Sequence, residues 1–209
     1  MAGGTLITIE GLDGAGKSTL AAGLADALRA RGGRVELLRE PGGVEVSERI
    51  RDLVKDPSLN VGARAEALLY AAARAQLVHE LLEPLLAAGA TVLLDRFTDS
   101  SLAYQGAGRA LGVDEVRAIN QFGTGGLAPH LTLLLRISPQ AGRARQDGRG
   151  EGADRLERED EGFFAAIAAA YDALADAEPG RFAVIDAEQS PAGVLASALA
   201  AVDARVRRD

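Results

Sequence analysis

Five short apolar runs recur along the chain, at residues 6–9, 35–38, 91–94, 131–135 and 182–185. Each holds four or five residues, rich in Leu, Ile and Val and poor in charge. Runs of that length without strict polar alternation fit strands covered on both faces. Between them lie longer Ala- and Leu-rich stretches with a helical period, at residues 17–30, 46–54, 63–88, 113–122, 162–177 and 191–206. Ser190 offers an N-cap and Pro191 a first-turn proline to the last of these. Alternating strands and helices predict an α/β fold: a five-stranded parallel sheet flanked by helices in three layers, joined by right-handed crossovers. No internal repeat is visible.

Residues 142–161 break the pattern. They are dense in Arg, Asp, Glu and Gly, and Leu156 is the only large aliphatic residue among them. Such a stretch adds little to a core. It reads as a mobile segment, a solvated surface, or a short Arg-rich lid that orders over a ligand.

A chain of 209 residues fits one domain, here taken as residues 1–209 with the lid inside it. That length buries roughly 70% of the unfolded surface, enough to fold without cross-links. Cysteine is absent, which excludes disulfides, thiol nucleophiles, iron–sulfur clusters and thiolate zinc sites. His79 and His130 are the only histidines, too few for a histidine metal centre. The net charge is −7, which disfavours nucleic acid as a partner. Lys17 and Lys55 are the only lysines; every other side-chain cation is arginine, apart from any charge on histidine. The N-terminus lacks a basic leader, and no apolar run is long enough to cross a bilayer. The expectation is a soluble cytoplasmic protein without a membrane partner.

The strongest chemical signal is Gly11-Leu12-Asp13-Gly14-Ala15-Gly16-Lys17-Ser18-Thr19. It satisfies the G-x-x-x-x-G-K-[ST] pattern and sits between the first strand and the first helix, where a phosphate cradle must be. Glycines let backbone N–H groups close around phosphate oxygens, and the helix N-terminus adds partial positive charge. In this pattern Lys17 reaches the β- and γ-phosphates, and the Ser18 hydroxyl ligates Mg²⁺. The loop therefore predicts ATP or another nucleoside triphosphate with magnesium. A GTP switch is disfavoured, because neither Asn60 nor Asn120 precedes a lysine as the guanine motif requires.

Asp95 and Arg96 follow the third run, at the sheet edge where open parallel sheets bind ligands. Asp95 there could hold a magnesium-bound water or orient Arg96. With Asp13 in the loop, Arg39-Glu-Pro-Gly-Gly43 followed by Arg51, Tyr70-x-x-x-Arg74, Asp95-Arg96 through Gln105, and Asp154-Arg155-Leu156-Glu157, the chain resembles the thymidylate kinases almost end to end.

That resemblance implies a P-loop nucleoside monophosphate kinase working on ATP and dTMP with Mg²⁺, as a homodimer. It implies that Tyr70, where relatives usually carry Phe, stacks on thymine, and that Arg74 hydrogen-bonds the base. Arg96 would hold the monophosphate with Arg51 as a second clamp. Asp13 would accept from the deoxyribose 3′-hydroxyl, and Tyr104 would fill the space of a ribose 2′-hydroxyl. Ser101 and Gln105 would line the same pocket.

Thymidylate kinases take their catalytic arginine either from the phosphate loop or from the lid. The loop here has none, so the chain resembles the bacterial lid-arginine type. Arg149 is the expected transition-state arginine, Arg145 could trade roles with it, and Arg143 is expected on adenine. Two rival functions stay open at this point: another P-loop kinase acting on a (deoxy)nucleoside or nucleoside monophosphate, and a non-catalytic nucleotide-binding regulator.

Overall fold

All five apolar runs become strands: β1 (Thr5–Gly11), β2 (Val35–Arg39), β3 (Thr91–Asp95), β4 (Leu131–Arg136) and β5 (Phe182–Asp186). They form one parallel sheet in the order β2-β3-β1-β4-β5. The computed structural model describes residues 3–148 and 155–205.

Burial on both faces holds for the three central strands and fails at the edges. Leu37 on β2 and Val184 on β5 are 36% and 41% exposed. An edge strand has one neighbour, and its outer positions lie beyond full cover. In the centre, alternate side chains enter two cores. Leu6, Val92 and Leu94 pack with Leu77, Val78 and Leu82 of the long helix. Ile7, Ile9 and Leu93 pack with Leu20 and Leu24 of α1 (Lys17–Ala30), Ile167 of α8 (Glu161–Ala177) and Ala198 of α9 (Pro191–Arg205). Ser190 caps α9 as expected, with Gly193 N donating to its Oγ at 3.2 Å. His130 is structural: its Nδ1 accepts from Leu6 N at 3.0 Å.

The helix predicted at 63–88 is interrupted. It runs as α3 (Ala63–Leu77), a π-helical turn (Val78–Leu82) and α4 (Glu83–Ala87). Glu83 N donates to the carbonyl five residues back, on Val78. Pro84 has no N–H to give, and the wider turn just before it absorbs the missing bond. α2 (Glu45–Lys55) and α6 (Val113–Thr124) lie beside α3.

Two helical segments carry no clear periodic signal. One is α5 (Thr98–Ser101), which continues as a π-helical turn through Leu102–Gly108. A Cβ on Gly108 would come within 2.7 Å of the Phe163 ring, so glycine lets this turn pack on α8. The other is α7 (Pro139–Asp147), which forms the start of the charge-rich segment.

Candidate active site

The phosphate loop joins β1 to α1. Gly14 and Gly16 hold φ of 80° and 91°, which favours glycine. At Gly14 the space is closed too: a Cβ would meet the carbonyl oxygen of Gly142, on α7, at 2.2 Å. A Cβ on Gly142 would in turn meet the Asp13 carbonyl oxygen at 2.8 Å. Two glycines thus let α7 rest directly on the loop. Lys17 is buried and donates from Nζ to the Leu12 carbonyl at 2.8 Å, with Asp13 Oδ1 at 3.7 Å. Burial, joined by the nearby Arg96 charge, pushes the Lys17 ammonium down to about 8. It still carries its charge at neutral pH.

Ser18 Oγ donates to Asp95 Oδ2 at 2.9 Å. The other oxygen, Asp95 Oδ1, is buried and has no hydrogen-bond partner among the described residues. A hydroxyl and a carboxylate with a spare oxygen make a hard-oxygen pair. That fits Mg²⁺, which takes few protein ligands and fills its shell with water and phosphate oxygens. The described residues hold no group of three or more His, Cys, Asp or Glu able to bind a metal.

Arg96 follows β3 with φ of 71°, in the left-handed region that arginine rarely enters. Its backbone N–H donates to Ile9 O at 3.0 Å. Nη1 donates to Gly11 O and Ser100 Oγ at 3.1 and 3.0 Å. Nη2 donates to Asp13 Oδ1 at 2.6 Å and to the Tyr104 hydroxyl at 3.2 Å. Tyr104 donates to Asp13 Oδ2 at 3.0 Å, closing the triangle. Burial alone would raise the Asp13 pKa; Arg96 and Lys17 outweigh it and hold the carboxyl well below the usual range.

Beneath Arg96 lies Glu10, which sequence reasoning passed over. It is fully buried and accepts from Phe97 N at 2.7 Å, Ser100 Oγ at 2.6 Å and the Tyr171 hydroxyl at 2.9 Å. Burial, with Asp99 adding to it, pushes Glu10 up to about 7. A signal was present: a carboxylate ending a run of apolar positions on the central strand.

Arg74 sits at the far end of the cleft, 2% exposed. Nε donates to Glu40 Oε2 at 2.7 Å, and Nη1 donates to Ser101 Oγ at 2.9 Å and to Asn120 Oδ1. Nη2 donates to Phe97 O at 3.0 Å. Burial pushes Glu40 up to about 7 despite this partner. Glu66, also fully buried, accepts from Gln105 Nε2 at 2.8 Å and pairs with Arg109 and Arg155 at 3.2 and 2.6 Å.

With the buried Glu10, Glu66 and Asn120 behind it, most of these polar side chains line one cleft of about 500 Å³, the size of a small-molecule site. From the loop it gathers Asp13, Gly14, Gly16, Lys17, Ser18 and Thr19. From the second ligand set it gathers Arg51, Tyr70, Arg74, Asp95, Arg96, Ser101, Tyr104 and Gln105. Lys55, Leu156 and Glu157 line it as well, and the sequence reading assigned them no role. Gly11 and Ala15 do not line it; Ala15 is buried. Leu12 and Arg143 instead share a small pocket beside the loop. The Arg143 guanidinium stands 5.7 Å over the Phe164 ring and donates to Glu159 O at 3.2 Å. Arg145 donates to Ala187 O at 2.9 Å and does not line the cleft. Arg149 lies outside the described residues.

Known proteins match this chain along nearly its whole length. The thymidylate kinase family model matches residues 9–197. A thymidylate kinase of Deinococcus radiodurans is 47% identical over 98% of this chain and 99% of its own. One from Pseudomonas syringae pv. tomato is 48% identical over 93% and 92%. The crystal structure of thymidylate kinase from Ehrlichia chaffeensis superposes with a TM-score of 0.80 at 25% identity, covering 96% of this chain and 99% of that one. Sequence and fold agree along the same span, and the chain belongs to the thymidylate kinase family.

Proposed function

We infer that this chain is an ATP-dependent dTMP kinase. A phosphate oxygen of dTMP attacks the γ-phosphorus of ATP, the bond to the β–γ bridging oxygen breaks, and dTDP and ADP leave. The acceptor is already an oxyanion, so no side chain has to act as a strong base. Positioning and charge carry the reaction.

One observation carries this reading. Lys17 from the ATP loop and Arg96 from the second site converge on one carboxylate, at 3.7 and 2.6 Å from Asp13 Oδ1. The cations of the two sites therefore meet across a gap that one phosphoryl group can bridge. Lys17 stabilises the β and γ oxygens, and Arg96 with Arg51 holds the monophosphate. Ser18 and Asp95 would hold Mg²⁺, which when bound neutralises charge on the phosphates. Asp13 takes the 3′-hydroxyl and Tyr104 blocks a 2′-hydroxyl. Tyr70 presents its ring to the base. Residues 142–161 act as the lid, with Arg149 as the transition-state arginine.

The rival functions gain no support from the relatives. An ADP-release assay across nucleoside monophosphates tests the assignment. dTMP is expected to lead, and comparable kcat/KM for AMP would overturn it.

A homodimer is supported by an exposed apolar surface on neighbouring helices: Leu53 on α2, Leu68 on α3 and Phe122 on α6 are 42%, 57% and 93% exposed. Phe122→Glu should shift sedimentation from dimer to monomer; a wild-type enzyme that already sediments as a monomer refutes this. Among the described residues no helix is long and apolar enough to cross a membrane. A cytoplasmic setting suits a cysteine-free enzyme with nucleotide substrates.

A further inference from the structure

Gln105 and Glu66 carry an inference about base selection, and it rests on the dTMP kinase reading above. Gln105 lines the cleft and is 2% exposed. Its side chain has one donor end and one acceptor end. Glu66 lies behind it, 0% exposed, with Arg109 donating from Nε to the Oε1 that faces Gln105 and the guanidinium groups of Arg109 and Arg155 against Oε2. A carboxylate held by two arginines offers only acceptor lone pairs, so the amide that faces it must turn its nitrogen inward. Gln105 Nε2 does so, donating to Glu66 Oε1 at 2.8 Å. The amide oxygen is then the end left for a ligand.

Arg74, on the same cleft, is held in the opposite sense. Of its five N–H hydrogens, one goes to Glu40, one each to Ser101 and Asn120, and one to the Phe97 carbonyl. One hydrogen on Nη2 remains. Arg74 and Gln105, which line the same cleft, thus bring to it one donor hydrogen and one acceptor oxygen held in place from behind.

We propose that Glu66 is a positioning residue for base choice: by fixing the Gln105 amide, it makes the cleft complementary to the imide edge of thymine or uracil. That edge presents a carbonyl oxygen beside an N–H. Cytosine presents an amino group beside a bare ring nitrogen, so against the same pair it sets donor to donor and acceptor to acceptor. A site built to hydrogen-bond a substrate rejects an analogue that leaves its buried groups unpaired far more strongly than apolar contact can. Guanine shares the imide pattern but is a purine, so its exclusion falls to the size of the pocket.

The test is the ratio of kcat/KM for dTMP to that for dCMP in wild type, Glu66→Gln and Gln105→Leu. In the first variant the new amide could show either an oxygen or an NH₂ to Gln105, which frees the Gln105 amide to turn. The second variant removes the acceptor outright. Both substitutions should lower the ratio, on the order of tenfold or more. General damage to the site lowers turnover of both substrates and leaves the ratio alone. A ratio within threefold of wild type in either variant overturns the proposal. If Glu66→Gln does not fold, Glu66→Asp, whose shorter side chain draws the carboxylate back from the Gln105 amide, is read by the same criterion. A wild-type enzyme that shows no preference for dTMP defeats the underlying kinase assignment. That result is distinct from a preference that survives both substitutions.

Discussion

The two ends of the cleft are built by different means. At the ATP end the backbone does the work: a short glycine-rich loop between one strand and one helix, with Lys17 and Ser18 at its close. At the nucleoside end the work falls to buried side chains from distant parts of the chain. Arg74 alone joins Glu40, Phe97, Ser101 and Asn120. A backbone cradle tolerates the loss of a side chain without losing its shape. A buried ionic network does not, because removing one member strands the charge of another. Damage at the first end should therefore fall on chemistry, and damage at the second on stability.

The sharpest break comes from the charges on the migrating phosphoryl group. Lys17→Ala should leave no measurable turnover in a coupled ADP-release assay while the protein stays folded by circular dichroism. Near-normal turnover would sink the P-loop kinase reading. Arg149→Ala should lower kcat by a factor on the order of 10³–10⁵, with dTMP affinity by calorimetry within a few-fold. Arg145 is the comparison residue. Its bond to the Ala187 carbonyl gives it a structural task, so Arg145→Ala should cost less in kcat. If both variants and their double keep wild-type kcat, the lid is only a cover.

The nucleoside end predicts the opposite balance. Glu40→Ala leaves Arg74 buried and charged, since arginine cannot shed its proton. The cost should be about 3–5 kcal/mol, a fall of roughly 10 °C in Tm for a chain this size. Equal losses of Tm in Glu40→Ala and Lys17→Ala would abolish the contrast between the two ends.

The smallest effect concerns Glu10, whose pKa rises from 4.5 to about 7 on folding. The folded chain then binds a proton that the unfolded chain has released. That contribution to stability is complete below about pH 4.5 and is lost as the pH climbs through about 7. Glu10→Gln cannot titrate, so its urea-unfolding free energy should fall less steeply over this window. The difference in slope should reach at most about 1.4 kcal/mol per pH unit. Parallel slopes for variant and wild type would count against the assignment.

The same contrast explains what could be read in the sequence. The loop was legible because spacing and flanks alone define it, and the strands because each is built on a short run dominated by aliphatic residues, with Glu36 the one charge in those runs. The helix over 98–108 was not, since Gly106 and Gly108 answer to Val113 and Phe163, which lie elsewhere in the chain. Glu10 and Glu66 were missed, and Glu40 and Asn120 were given no role beside Arg74, for the same reason. Each is an ordinary polar residue in its own segment and gains meaning only from partners folded against it. Arg74 and Gln105 were found through family resemblance, yet their orientation depends on Glu40 and Glu66.

The contact between Gly14 and Gly142 sets a limit on how this sequence can drift. Gly142 lies inside α7, where glycine weakens a helix by about 1 kcal/mol relative to alanine. Judged by the helix alone, alanine is the better residue. Judged by the loop, one added methyl meets the Asp13 carbonyl at 2.8 Å and pushes on the backbone that cradles phosphate. Neither glycine can be exchanged to compensate for the other, because each gives clearance to a main-chain oxygen rather than to a side chain. Along this helix, a change that improves local propensity works against the enzyme, and a survey of tolerated substitutions should find both positions nearly closed.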